Sequence, residues 1–127
     1  MKNLLVICVL MSFAIGLAGC CKNGKSVDCN TKLKDVEGQS GELGTSFSIT
    51  CPAGCRGGSI WGTDTYTTDS PICLAGIHAG VIAQDKGGDV KVTIVKSLPS
   101  YKGSARNGVT TSDWANSWGD TAFQVSK

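Results

Sequence analysis

One histidine, His78, is all that this chain of 127 residues contains, and that scarcity removes every function built on a histidine pair. Charge is also thin, with 17% charged residues and 12 basic against 10 acidic side chains, a formal balance of +2. No run of Lys or Arg gathers that charge into a field, so nucleic acid is not an expected partner. No Gly-Lys-Ser/Thr follows Gly57-Gly58, which excludes a phosphate loop there. No internal repeat and no low-complexity stretch breaks the chain, and no cofactor motif is present.

The front end is different in kind. After Met1-Lys2-Asn3 the chain runs from Leu4 to Leu17 with only Ser12 and Gly16 interrupting. The run is too short for a stable bilayer anchor, and Lys2 supplies the positive lead of a targeting segment. It ends in Leu17-Ala18-Gly19-Cys20, which resembles the bacterial lipobox. That resemblance implies cleavage before Cys20, with the Cys20 thiol carrying lipid and several acyl chains holding the protein on the outer face of the cell envelope. The alternative is an ordinary secretory cut near the same place, which makes the protein secreted and extracellular. Either way residues 1–19 are read as a signal peptide and the chain as exported. Losing Lys2 with the signal lowers the net charge further.

Seven cysteines are an odd number only until they are placed. Cys8 lies in the signal, and Cys20 and Cys21 lie in a short polar tether over residues 20–28. Cys29, Cys51, Cys55 and Cys73 remain in the body, and four cysteines in a small exported domain read as two disulfides. Three pairings are possible, and spacing does not choose among them. Zinc at Cys51-Pro-Ala-Gly-Cys55 lacks partners, since the body holds no second close cysteine pair, so no metal site is expected.

Residues 30–46 read as Gly-rich loop, and Phe47–Cys51 alternates apolar and polar as a half-buried strand. Ser59–Trp61 reads as a short second strand. A helix is expected from Pro71, at its first position with Asp69 or Ser70 as N-cap, to Ala83 or Gln84. Its wheel carries Cys73, Ile77 and Val81 in one row, Leu74, His78 and Ile82 in the next, and Ala and Gly opposite. A helix with almost no charge on any side is a buried one, and this one is expected to be central with sheet around it. Val90, Val92 and Ile94 alternate with Lys91 and Thr93 as a strand with one wet face. Asn107-Gly108 is a hairpin-turn signal, Trp114 and Trp118 sit at helical spacing, and Ala122–Val125 reads as a final strand.

Trp61-Gly62-Thr63, Tyr66-Thr67, Asp69-Ser70, Ile72-Cys73 and Ile77-His78-Ala79-Gly80-Val81-Ile82 together resemble the core signature of the LCCL domain. Gly87-Gly88, Val90, Val92, Tyr101, Gly103-Ser104, Asn107-Gly108-Val109 and Phe123 continue the resemblance in order. It covers about residues 29–127, nearly the whole chain after the signal. The family, named from the clotting protease factor C, cochlin and a late-gestation lung protein, consists of extracellular modules associated with host defence and matrix. The resemblance implies an α+β fold with a central helix wrapped by sheet and two disulfides, the first cysteine paired with the second and the third with the fourth. Here that gives Cys29–Cys51 and Cys55–Cys73. Two departures stand out: a long, Gly-rich segment between Cys29 and Cys51, and Gly76 where a second alanine is usual.

Tyr66, Asp69, Ser70, His78, Arg106 and Asn107 are the candidate ligand-binding residues, on the polar stretch before the helix, the helix itself and the Asn-Gly turn. The competing reading is structural: Asp69 and Ser70 cap the helix, Tyr66 joins the core, and His78 is buried between Leu74 and Ile82. Nucleophilic catalysis would need Ser or Cys beside His78 and an orienting carboxylate. Asp64, Asp69 and Ser70 qualify only by composition, with no nucleophile elbow around them. The expectation is therefore a non-enzymatic binding module for polysaccharide, lipopolysaccharide or another surface component, resting on family analogy. A structural or protein-interaction module is the second reading, and a small hydrolase a remote third.

Overall fold

A computed structural model describes residues 27–36 and 42–127. The expected signal peptide, Cys20, Cys21 and most of the expected tether lie outside the described residues. Val27 already packs against the core, and the Asp28 carboxylate accepts from the Asn30 amide at 2.9 Å, so the last two residues assigned to the tether belong to the folded body.

Among the described residues, seven strands and one helix follow a 3-10 turn at Leu33–Asp35. β1 (Ser46–Cys51), β2 (Gly62–Thr63), β3 (Thr65–Thr67), β4 (Gly88–Lys96) and β7 (Thr121–Ser126) form one antiparallel sheet in the order β1-β4-β7-β3-β2. β4 lies between β1 and β7 and alternates cleanly, so that one face is dry and the other wet: Val90, Val92 and Ile94 face inward while Asp89, Lys91 and Lys96 are exposed. Val92 pairs with Phe47 on one side and with Val125 on the other. β7 arrives last in the chain yet lies between β4 and β3, with Phe123 opposite both Ile94 and Tyr66. β5 (Ala105–Arg106) and β6 (Val109–Thr110) make a separate hairpin.

The helix α1 (Ile72–His78) is buried at every position, as its uncharged wheel predicts. Ile72, Cys73, Leu74, Ala75 and Ile77 share one core with Ile49, Val90, Val92, Ile94 and Phe123. Gly76 sets the closeness of the approach, because a Cβ there would lie 3.0 Å from Val90 Cγ2 and 3.5 Å from Ile82 Cγ1. β6 touches the helix as well, so sheet and hairpin enclose it together.

Four local expectations are corrected. The helix begins at Ile72 with extended Pro71 as its N-cap and no side-chain cap, because Asp69 and Ser70 are engaged elsewhere. It ends at His78, well before Ala83: Gly80 adopts φ +84°, its amide donates to Ile77 O at 3.0 Å, and the Val81 amide donates to Gly76 O at 2.9 Å. That pair of bonds is a Schellman stop, which the apolar Val81 and Ile82 conceal from a pattern reading. Trp114 and Trp118 lie on no helix; Trp114 bridges Tyr101 in antiparallel fashion, its amide donating to Tyr101 O at 2.9 Å. Ser59–Trp61 forms only an isolated parallel bridge from Trp61 to Ser112.

The disulfides pair as Cys29–Cys55 and Cys51–Cys73, not as the resemblance implies. Cys51 sits at an inward position of β1 beneath the first turn of α1, where Cys73 is fully buried, and their Cα atoms are 5.6 Å apart. The chain then turns through Pro52–Gly54, which carries Cys55 out to the Cys29 loop, with a Cα separation of 5.2 Å. Both separations are ordinary for a bridge. The two closed loops overlap, so the strand, the helix start and the N-terminal loop are stapled as a unit.

Candidate functional site

The six candidate ligand residues fall into two places. Tyr66 and His78 lie in the interior, both fully buried. Tyr66 Oη is 2.8 Å from His78 Nδ1, and His78 Nε2 is 3.1 Å from both Ser104 O and Ser104 Oγ. A carbonyl oxygen only accepts, so Nε2 carries the proton and Nδ1 receives the Tyr66 hydroxyl. Thr63 Oγ1 donates to Lys102 O at 2.9 Å, which leaves the Ser104 hydroxyl, 2.7 Å away, to donate to Thr63. Every proton in the chain Tyr66–His78–Ser104–Thr63 thus has a place, and both nitrogens of His78 are occupied. Burial pushes the Tyr66 phenol up to about 12, against a lowering contribution from the Asp64 backbone. Burial pushes the His78 imidazole down, against a raising contribution from the Ser104 backbone. Burial thus favours the neutral form of both rings.

Arg106 and Asn107 flank this buried chain at the surface. Asn107 (φ +52°) and Gly108 (φ +83°) form the two-residue turn of the β5–β6 hairpin, as the Asn-Gly pair predicts. Asn107 Nδ2 donates to His78 O at 2.9 Å, closing the C-terminal end of α1. Arg106 Nη1 donates to Asp64 Oδ1 at 2.8 Å, and that hydrogen bond raises the proton affinity of a guanidinium that is charged in any case. The turn is therefore a clamp on the helix.

Asp69 and Ser70 lie away from that pair, on the loop between β3 and α1. Ser70 is fully buried: its Oγ accepts from the Trp61 amide at 3.0 Å and lies 2.9 Å from Thr67 Oγ1. Thr67 Oγ1 also donates to Asp69 Oδ1 at 2.6 Å, aiming the carboxylate at the surface. There it meets residues that the sequence reading did not count among the candidate ligand residues. Trp61, Trp114 and Trp118 line a cleft of about 290 Å³ together with Thr67 and Asp69. Trp114 and Trp118 meet edge to face, with ring centroids 5.5 Å apart and planes at 86°. A groove of about 400 Å³ adjoins it, sharing Trp61 and Asp69 and lined also by Asn30, Lys32, Lys34 and Asp35. The available signal was Ser112–Gly119, where two indoles stand among Ser, Asp, Asn and Gly with no apolar pattern to bury them. Among the described residues no cluster of three or more His, Cys, Asp or Glu is placed to hold a metal.

A stapled α+β module with a buried central helix and an open tryptophan cleft is the class that fold and surface define. The LCCL domain family model matches residues 27–121, and the chain belongs to that family. It is 45% identical over 89 residues to discoidin, CUB and LCCL domain-containing protein 2 of Rattus norvegicus, covering 67% of this chain and 12% of that protein. It is 38% identical over 82 residues to human cysteine-rich secretory protein LCCL domain-containing 2, covering 61% of this chain and 16% of that one. Clotting factor C of Tachypleus tridentatus is 36% identical over 91 residues, covering 70% of this chain and 8% of its own length. The chain thus spans a small fraction of each of these relatives.

Proposed function

We propose that the chain is an exported, non-enzymatic LCCL binding module that recognises a polysaccharide, lipopolysaccharide or another envelope or extracellular component. Its anchor is lipid on Cys20, on the outer face of the cell envelope. The observation that carries the binding reading is the open tryptophan cleft beside an oriented carboxylate, a concave site with a few fixed polar groups. The non-enzymatic reading is supported by His78, whose two nitrogens are both committed inside the core.

A glycan array that includes lipopolysaccharides is expected to give saturable binding by the wild-type protein. An empty array, with a stable protein partner found by crosslinking, would replace this reading with the protein-interaction one. The anchor is tested separately by growth with labelled palmitate. Label and detergent partitioning that both disappear in Cys20→Ser are expected, and an unlabelled, freely soluble wild-type protein would leave ordinary secretion.

A further inference from the structure

We infer that the tryptophan cleft and the groove beside it are two adjoining subsites for a neutral saccharide chain, one pyranose ring resting on the indoles and the next sugar's hydroxyls lying in the groove. This rests on the glycan-binding reading above and names the chemistry and place of recognition.

Every tryptophan of the chain lines this one cleft, although Trp61 is far from the other two in sequence. The perpendicular planes of Trp114 and Trp118 give it two walls. A pyranose is apolar on its C–H faces and polar around its edge, and the electron-rich face of an indole attracts C–H hydrogens. At about 290 Å³ the cleft is at the small end of ligand sites, the scale of one sugar.

The backbone that carries the walls is held before any ligand arrives. The Trp61 amide is held by Ser70, Trp114 by its paired bonds to Tyr101, and the Trp118 amide by Ser97 Oγ at 3.4 Å. Such preorganisation lowers the ordering cost of binding. Asp69 stands at the rim with one oxygen on Thr67, and a carboxylate has about four acceptor sites, so most of its capacity remains for sugar hydroxyls.

The groove argues for hydroxyls over phosphate. Lys32 and Lys34 are matched there by Asp35 and Asp69, with Asn30 able to donate and accept. A site for phosphate gathers cations of one sign, whereas this one mixes donors and acceptors. Binding should therefore depend little on salt.

The test uses the full chain, with calorimetry and tryptophan fluorescence against cellohexaose, chitohexaose and maltohexaose, and against lipopolysaccharide core oligosaccharide before and after phosphate removal. At least one neutral oligosaccharide, or the dephosphorylated core, is expected to bind with a change in tryptophan emission. Its affinity is expected to change less than about threefold between about 0.05 and 0.5 M NaCl, where surface charges are progressively screened. Trp118→Ala and Asp69→Asn should each weaken it about tenfold or more with the unfolding midpoint retained, and Trp118→Phe should fall between. Binding that is equal in wild type and Trp118→Ala would overturn the cleft assignment while leaving the module a glycan binder. Binding confined to phosphorylated core and abolished by salt would overturn the neutral-sugar assignment in the same way. No binding to any of these probes, together with an empty glycan array, would overturn both readings, and a protein partner crosslinked through the cleft would identify the occupant instead.

Discussion

Tyr66 and His78 meet at 2.8 Å in a place no solvent reaches, so the phenol and the imidazole titrate against the core and not against water. His78 has its proton affinity lowered by burial. Below about pH 6.5 the unfolded chain accepts a proton that the native site resists, so stability falls as pH drops, by at most about 1.4 kcal/mol per pH unit for one proton. Tyr66 titrates near 12 against an ordinary 10.0, so the unfolded chain loses its proton first and stability falls again as pH rises above that ordinary value. Urea midpoints measured across pH should show a plateau between these limbs. Tyr66→Phe should remove the part of the alkaline limb that belongs to this phenol. It should also cost about 1–3 kcal/mol at neutral pH, because Nδ1 is left buried without a donor. An unchanged alkaline limb in that variant would show that Tyr66 ionises freely.

At the scale of elements, α1 is a short helix held from outside. It lacks a side-chain N-cap, and seven residues are too few to be stable alone. Its position depends on the approach at Gly76 and on the clamp from the β5–β6 turn. Gly76→Leu should overpack the contact with Val90 and destabilise the fold by about 1–3 kcal/mol or more. Asn107→Ala loses the bond to His78 O and puts alanine at positive φ, and should cost about 1–2 kcal/mol. Thermal unfolding checks both, and an Asn107→Gly variant separates the lost bond from the backbone strain. The buried character of α1, the β4 alternation and the Asn-Gly turn were all legible, since each is a local pattern of apolar spacing or turn chemistry. The helix end was not, because an apolar Val81-Ile82 after Gly80 continues the wheel while the backbone has already reversed.

At the scale of the molecule, the two overlapping disulfides join the N-terminal loop, β1 and α1 into one stapled body. Stepwise reduction and alkylation with mass spectrometry should find Cys29–Cys55 and Cys51–Cys73. Trypsin alone leaves Cys51 and Cys55 on one peptide, since Pro-Ala-Gly lies between them. Replacing Cys51 and Cys73 together by serine should cost about 2–5 kcal/mol, the usual loss for a native bridge in a small domain. Recovery of Cys29–Cys51 in the wild-type protein would contradict the inward placement of Cys51 under the helix.

What the sequence determined by itself is whatever neighbouring residues decide together: the α+β class, the uncharged buried helix, the alternating strand, the hairpin turn and the resemblance to the LCCL family. Tertiary structure alone decided the cysteine pairing, because four thiols in sequence carry no distances and only the strand beneath the helix brings Cys51 to Cys73. It also decided between the two readings of the polar residues, in favour of the structural one for His78 and Tyr66. His78, Tyr66 and Ser70 are drawn inside by partners up to 26 residues away, while Asp69 stays at the surface. The tryptophan cleft belongs to the same class of fact. Its walls come from separate loops that adjoin only because Trp61 bridges Ser112 and Trp114 bridges Tyr101, contacts that no local spacing encodes.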